Sequence, residues 1–93
     1  MTKSEEVLAE VGAMVREVIG EAWAEDVPMT MGTSFSKDLE LESIEFVALA
    51  ERLKERYGRE VNFAAWLATM ELAEIIELRV GQLVDFIVSC QKG

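Results

Sequence analysis

The chain contains no histidine, one cysteine and one proline, and its basic residues are outnumbered two to one: 9 Lys and Arg against 18 Asp and Glu, for a net charge of −9. Without histidine the commonest general base and metal ligand is missing, and a single thiol cannot close an intramolecular disulfide, which suits a reducing compartment. A charge of −9 repels nucleic acid and anionic membrane and favours basic protein surfaces. No apolar run is long enough to cross a bilayer, and the start Met-Thr-Lys-Ser-Glu-Glu has no apolar signal core, so a cytoplasmic protein with no membrane partner is expected. The absences also thin out the enzymes: no pair of carboxylates is singled out by spacing, no glycine-rich phosphate cradle occurs, and a metal site would have to be all oxygen, so no catalytic and no metal-binding residue is assigned.

What is present is a short chain rich in apolar residues. Ninety-three residues with 51% hydrophobic content are enough for one modest core and one domain over 1–93, expected to be monomeric. Val7, Leu8, Val11, Met14, Val15, Val18, Ile19, Ala22 and Trp23 recur at three- and four-residue spacing and predict a helix over about Ser4 to Trp23, with Gly20 as an earlier stopping point. Thr2 with Glu5 fits a capping box for it, and Ser4 is an equal candidate. The stretch Asp26 to Asp38 holds Pro28, Gly32 and several hydroxyl residues and reads as a long ordered loop, pinned by Val27, Met29, Met31 and Phe35.

A second helix, Ser43 to Tyr57, follows, closed by Gly58 and carrying Arg56 and Arg59 at the negative end of its dipole. Phe46, Leu49, Ala50, Leu53 and Tyr57 form its core face. Ile44 and Val47 lie off that face, near Glu51, as an apolar patch edged by carboxylates. Isolated exposed aliphatics are common, so the patch alone says little. The segment Glu60 to Leu78 holds apolar residues at a spacing compatible with one or two short helices, with Asn62 and Thr69 as caps. A last helix spans about Val80 to Cys90, with Leu83, Ile87 and Cys90 on one seam. The fold expected is therefore all-α: a small bundle of three principal helices plus one or two short helices between the second and the last.

The run Asp38-Leu39-Glu40-Leu41-Glu42-Ser43-Ile44 resembles the Asp-Leu-Gly-x-Asp-Ser-Leu hallmark of the acyl carrier proteins, with Glu40 in the glycine position and Glu42 in that of the aspartate. Val80-Gly81-Gln82-Leu83-Val84-Asp85-Phe86-Ile87 is similar, without gaps, to the opening of that family's final helix, whereas Glu60 to Leu78 is longer than its counterpart. The resemblance implies that Ser43 carries 4'-phosphopantetheine, taken from coenzyme A, and that the arm holds an acyl group as a thioester. It implies docking of partner enzymes at Glu42, Ile44, Glu45, Val47 and Glu51, with Glu55 a further candidate. The partners implied are a phosphopantetheinyl transferase, a loading ligase or acyltransferase, and downstream synthase or tailoring enzymes of fatty acid, polyketide or lipopeptide-type biosynthesis. Phe46, Phe63, Trp66, Leu67 and Met70 are candidates for lining a space for the acyl chain, against the plainer reading of added core.

Read without the resemblance, Ser43 is a plain N-cap, a role worth on the order of 1 kcal/mol. With no histidine to activate it, it is not a catalytic nucleophile. A phosphodiester at a helix N-terminus would meet free N–H groups and a favourable dipole, with Glu40, Glu42 and Glu45 opposing it through charges screened over about 8 to 10 Å. Two alternatives stand beside the acyl carrier: a peptidyl or aminoacyl carrier, although Glu40-Leu41-Glu42-Ser43 lacks that type's glycine pair, and a carrier-like docking protein without the arm.

Overall fold

In a computed structural model, which describes residues 3–92, five α-helices and two short 3-10 turns account for the regular structure. The helices are α1 (Lys3–Ile19), α2 (Ser43–Tyr57), α3 (Phe63–Ala68), α4 (Leu72–Ile76) and α5 (Val80–Lys92); the turns are Ala22–Asp26 and Gly58–Glu60. Among the described residues no helix is long and apolar enough to cross a membrane. The Thr2 to Glu5 capping box lies partly outside the described residues.

The frame is α1 packed against α5 and α2. Val7, Val11 and Val15 recur every fourth residue on α1, and all three are buried in one cluster with Leu49 and Leu53 of α2 and Leu83, Val84 and Ile87 of α5. The seam of α5 is thus wider than spacing suggests: Val84 is as buried as Leu83, while Cys90 is only half-buried.

Helix α1 stops at Ile19, short of Trp23. Gly20 takes φ +67° and donates its N–H to the Arg16 carbonyl at 2.9 Å, a backbone conformation that a residue with a Cβ resists. Trp23 then falls in the 3-10 turn and is 38% exposed, so it does not belong to the core face that its spacing assigned to it. Arg16 ties the turn down by donating to the carbonyls of Ala24 at 3.4 Å and Val27 at 3.2 Å.

The connection from Val27 to Glu42 is ordered by its own side chains. Thr33 is buried, and its hydroxyl donates to the Pro28 carbonyl at 2.8 Å and accepts from the Thr30 N–H at 2.9 Å. Phe35 and Leu39 are fully buried, at about 1.5 to 3 kcal/mol each. Met31 is exposed rather than a pin, and the anchor there is its carbonyl, which accepts from Gly81 N–H at 2.8 Å. With Val80 N–H donating to Thr33 at 2.8 Å and Phe35 N–H to Leu78 at 3.2 Å, the loop is stitched to the start of α5.

Between α2 and α5 both short helices form. Asn62 caps α3, its Oδ1 accepting from Ala65 N–H at 2.9 Å. Thr69 does not cap α4: it ends α3, with its hydroxyl donating to the Trp66 carbonyl at 2.7 Å, and Glu71 takes the N-cap position of α4.

Candidate functional site

Asp38 sets the approach to Ser43. Its Oδ2 accepts from Ser34 N–H at 2.7 Å, while Asp38 and Leu39 donate their own N–H groups to the Ser34 carbonyl at 3.2 and 3.1 Å. That turn buries Leu39 and throws Glu40 into the left-handed region at φ +50°. Leu41 donates to the Phe35 carbonyl at 2.9 Å and is buried, which delivers Glu42 to the surface as the residue before α2.

Glu42, not Ser43, is the N-cap. Its N–H donates to the Glu45 carboxylate at 2.9 Å, and its carbonyl accepts from Glu45 N–H at 2.9 Å and Phe46 N–H at 3.1 Å. Ser43 is the first residue of the helix proper, so the plain N-cap reading of its hydroxyl does not hold. The side chain is exposed and, among the described residues, makes no hydrogen bond. The backbone N–H groups of Ser43 and Ile44 likewise have no acceptor among the described residues. A negatively charged substituent on the Ser43 oxygen would therefore sit at two unspent donors and the positive end of a fifteen-residue helix. The other serines nearby are less suited: Ser34 is buried, with its hydroxyl accepting from Lys37 N–H at 3.1 Å.

Ser43 also stands at one end of a cleft of about 740 Å³ between α2, α3 and α4. Phe46, Val47 and Ala50 of α2 form one side, Phe63 and Leu67 of α3 another, and Leu72 and Ile75 of α4 the third. Of the five residues put forward for an acyl-chain lining, Phe46, Phe63 and Leu67 are on this wall. Trp66 and Met70 are not: the Trp66 indole stacks on Phe86 of α5, with centroids 4.5 Å apart and planes at 3°, and Met70 packs against the core. Leu72 and Ile75, missed in the sequence, complete the wall. Both belong to the apolar set of the Glu60 to Leu78 segment, but nothing in that spacing shows that α4 lies across the cleft from α2.

The residues put forward for docking share the outer surface beside Ser43. Ile44 is 73% exposed and Val47 61%, and Glu42 and Glu51 are exposed as well. Glu45 is half-buried with its carboxylate engaged in capping, so it shares with Glu42, the N-cap, a structural task of its own. Across the cleft Leu72 is 73% exposed. Glu55 is exposed on α2. Among the described residues no group of three or more His, Cys, Asp or Glu side chains is placed to hold a metal ion.

No protein-family model matches the chain, and no solved structure matches it. Among curated proteins, the acyl carrier protein of Rhodococcus erythropolis (strain PR4 / NBRC 100887) is 37% identical to it over 57 residues. The aligned stretch is 61% of this chain and spans 59% of the length of that relative.

Proposed function

Taking as premise the acyl carrier protein family, which that likeness supports, we propose that this chain carries an acyl intermediate on a 4'-phosphopantetheine arm attached to Ser43. The observation that carries the reading is an exposed serine hydroxyl with no hydrogen-bond partner among the described residues, at the N-terminus of α2 and opening on an apolar cleft. The residues present fit the arm: Ser43 offers the oxygen, and the N–H groups of Ser43 and Ile44 remain for the phosphate. Bound there, the arm supplies a terminal thiol on which the acyl group is held as a thioester. The chain itself attaches, shelters and presents, and partner enzymes perform the chemistry.

Phe46, Phe63, Leu67, Leu72 and Ile75 give the acyl chain apolar surface to cover, at about 25 cal/mol per Å² removed from water. Ile44 and Val47, edged by Glu42 and Glu51, suit a partner surface with an apolar centre and a basic rim. Such partners include a phosphopantetheinyl transferase, a loading ligase or acyltransferase, and synthase or tailoring enzymes of a fatty acid, polyketide or lipopeptide-type pathway.

The test is intact mass after incubation with coenzyme A, magnesium and a broad-specificity phosphopantetheinyl transferase, with Ser43→Ala in parallel. A phosphopantetheine increment on the wild type alone is expected. Absence of the increment with transferases of both broad types would sink the reading and leave a docking protein without an arm. Because the Ser43 hydroxyl is exposed and has no partner among the described residues, Ser43→Ala is expected to change folding stability by no more than about 0.5 kcal/mol, so a lost increment reports the attachment and not the fold.

A further inference from the structure

The wall of the cleft is apolar except at Ser43, Glu51, Lys54 and Asn62. Lys54 lies eleven residues beyond Ser43 on α2, about 16 Å along the helix axis. It differs from the other two basic residues of that helix. Arg52 pairs with Glu17 and Arg56 with Glu10, both on α1, whereas Lys54 stands on the cleft side with no ion pair among the described residues. Asn62, in the turn that leads into α3, also lines the cleft. Since Ala65 N–H can only donate, the Asn62 oxygen is committed to it, and the carboxamide NH₂ is left as a donor. Away from Ser43 the cleft therefore offers an ammonium and an amide NH₂, neither with a hydrogen-bond acceptor among the described residues, with the Glu51 carboxylate one turn back on α2.

We infer that this end of the cleft receives a hydrogen-bond-accepting oxygen at the distal end of the cargo, so that Lys54 selects oxygenated acyl chains, ending in a keto or carboxylate group, over saturated alkyl chains. The inference rests on the carrier reading, because a tether at Ser43 is what sends the distal end of the chain toward Lys54. Lys54 and Asn62 are both exposed and therefore hydrated in the empty cleft; an alkyl end laid over them displaces that water without replacing its hydrogen bonds, whereas an acceptor oxygen replaces at least one of them. Lys54 is a specificity-determining residue in this reading; Phe46, Phe63 and Leu67 supply affinity regardless of the end group.

The test uses pantetheine conjugates of equal chain length, amide-linked to resist hydrolysis, that end in a methyl group, a methyl ketone or a carboxylate. Each is installed on the full chain from the matching coenzyme A analogue, with attachment read by intact mass, and the change in melting temperature is measured for wild type, Lys54→Met and Lys54→Arg. Each conjugate is also titrated, untethered, into Ser43→Ala with amide chemical shifts as the readout, so that the preference of the cleft is measured even on a chain that accepts no arm. The expected result is a preference of about fivefold in Kd for the oxygenated ends, lost in Lys54→Met on the Ser43→Ala background and regained in Lys54→Arg. Equal or better binding of the methyl-ended conjugate to the chain with Lys54 overturns the inference, as does a preference that survives Lys54→Met. Failure of attachment in the mass spectrum counts against the carrier reading instead, and the titration still decides the role of Lys54.

Discussion

The hydroxyl of Tyr57, the last residue of α2, donates to the carboxylate of Glu10 in the middle of α1, 47 residues earlier in the chain. Arg56 Nη2 reaches the other oxygen of the same carboxylate at 2.7 Å, so Glu10 fastens the end of α2 to α1. Burial pushes the Glu10 carboxyl up, but the hydrogen bonds from Tyr57 and Arg56, with the charges of Arg56 and Lys3, outweigh it and hold the group below its ordinary value of 4.5. Burial, together with the hydrogen bond to Glu10 and its negative charge, pushes the Tyr57 hydroxyl well above its ordinary 10.0.

These opposite shifts predict a stability profile that falls on both sides. The raised Tyr57 value contributes stability that is complete below about pH 10 and lost as the pH climbs through the folded-state value; the lowered Glu10 value contributes stability present above about pH 4.5 and lost as the pH falls through its folded-state value. Tyr57→Phe is expected to remove the alkaline component, shrink the acid one and cost about 1 kcal/mol at neutral pH. Urea denaturation across pH 3 to 11 checks this, and an unchanged alkaline limb in the variant would contradict it.

Gly81 permits the loop to lie on α5. A Cβ built there meets the Met31 carbonyl oxygen at 2.5 Å, and that oxygen is the acceptor for the Gly81 N–H. Gly81→Ala must move backbone rather than a flexible side chain, and a loss of about 1 to 3 kcal/mol is expected. Faster hydrogen exchange at the Gly81 amide would accompany the fall in denaturation midpoint; a variant as stable as the wild type would show that the loop shifts freely.

Glu40, which stands where the acyl carrier hallmark has glycine, takes the left-handed φ that glycine adopts at no steric cost. The conformation costs a side-chain-bearing residue about 1 to 2 kcal/mol. Part of that is offset in Glu40→Gly by the extra freedom of glycine in the unfolded chain, so a gain of up to about 1 kcal/mol is expected. Glu40→Val, β-branched at the same φ, is expected to lose at least about 1 kcal/mol. Thermal melts that rank valine above glycine would rule out strain at this position.

Trp66 belongs to the packing of α3 on α5, so Trp66→Ala is expected to cost about 2 kcal/mol through its stacking on Phe86. On the proposed carrier reading, it should leave occupancy of the cleft by a tethered chain nearly unchanged once the protein is folded. Leu67→Ala should do the reverse, weakening protection of a bound chain more than stability. Hydrolysis rates of a loaded thioester, compared with denaturation midpoints for both variants, separate the two roles.

Local order was legible in the sequence wherever one helix face decided it. The bounds of α2 were readable at both ends because the apolar stripe, the acidic run before it and Gly58 after it all agree, and α5 was readable from the same kind of pattern. The excess of apolar residues on α2 was visible too: Ile44 and Val47 lie off the core face by period alone, and they are exposed. The end of α1 was ambiguous because apolar spacing ran on to Trp23 while Gly20 offered a stop, and the backbone at Gly20 prevailed.

A period states which residues share a face but not which element that face meets. Trp66 and Leu67 are neighbours in one short helix, and only the packing sends the first to Phe86 and the second to the cleft. Leu72 and Ile75 join the wall through the course of the chain after α3, and Arg52 and Arg56 reach Glu17 and Glu10 of α1 while Lys54, on the cleft side, has no ion pair among the described residues. The sequence by itself determined the helices, their apolar faces and the exposed serine between an acidic run and a helix, because these depend on residues a few positions apart. Only the tertiary structure decided the cleft, its donors and the left-handed turn at Glu40, because each depends on segments brought together from distant parts of the chain or on a backbone bent to bury Phe35 and Leu39.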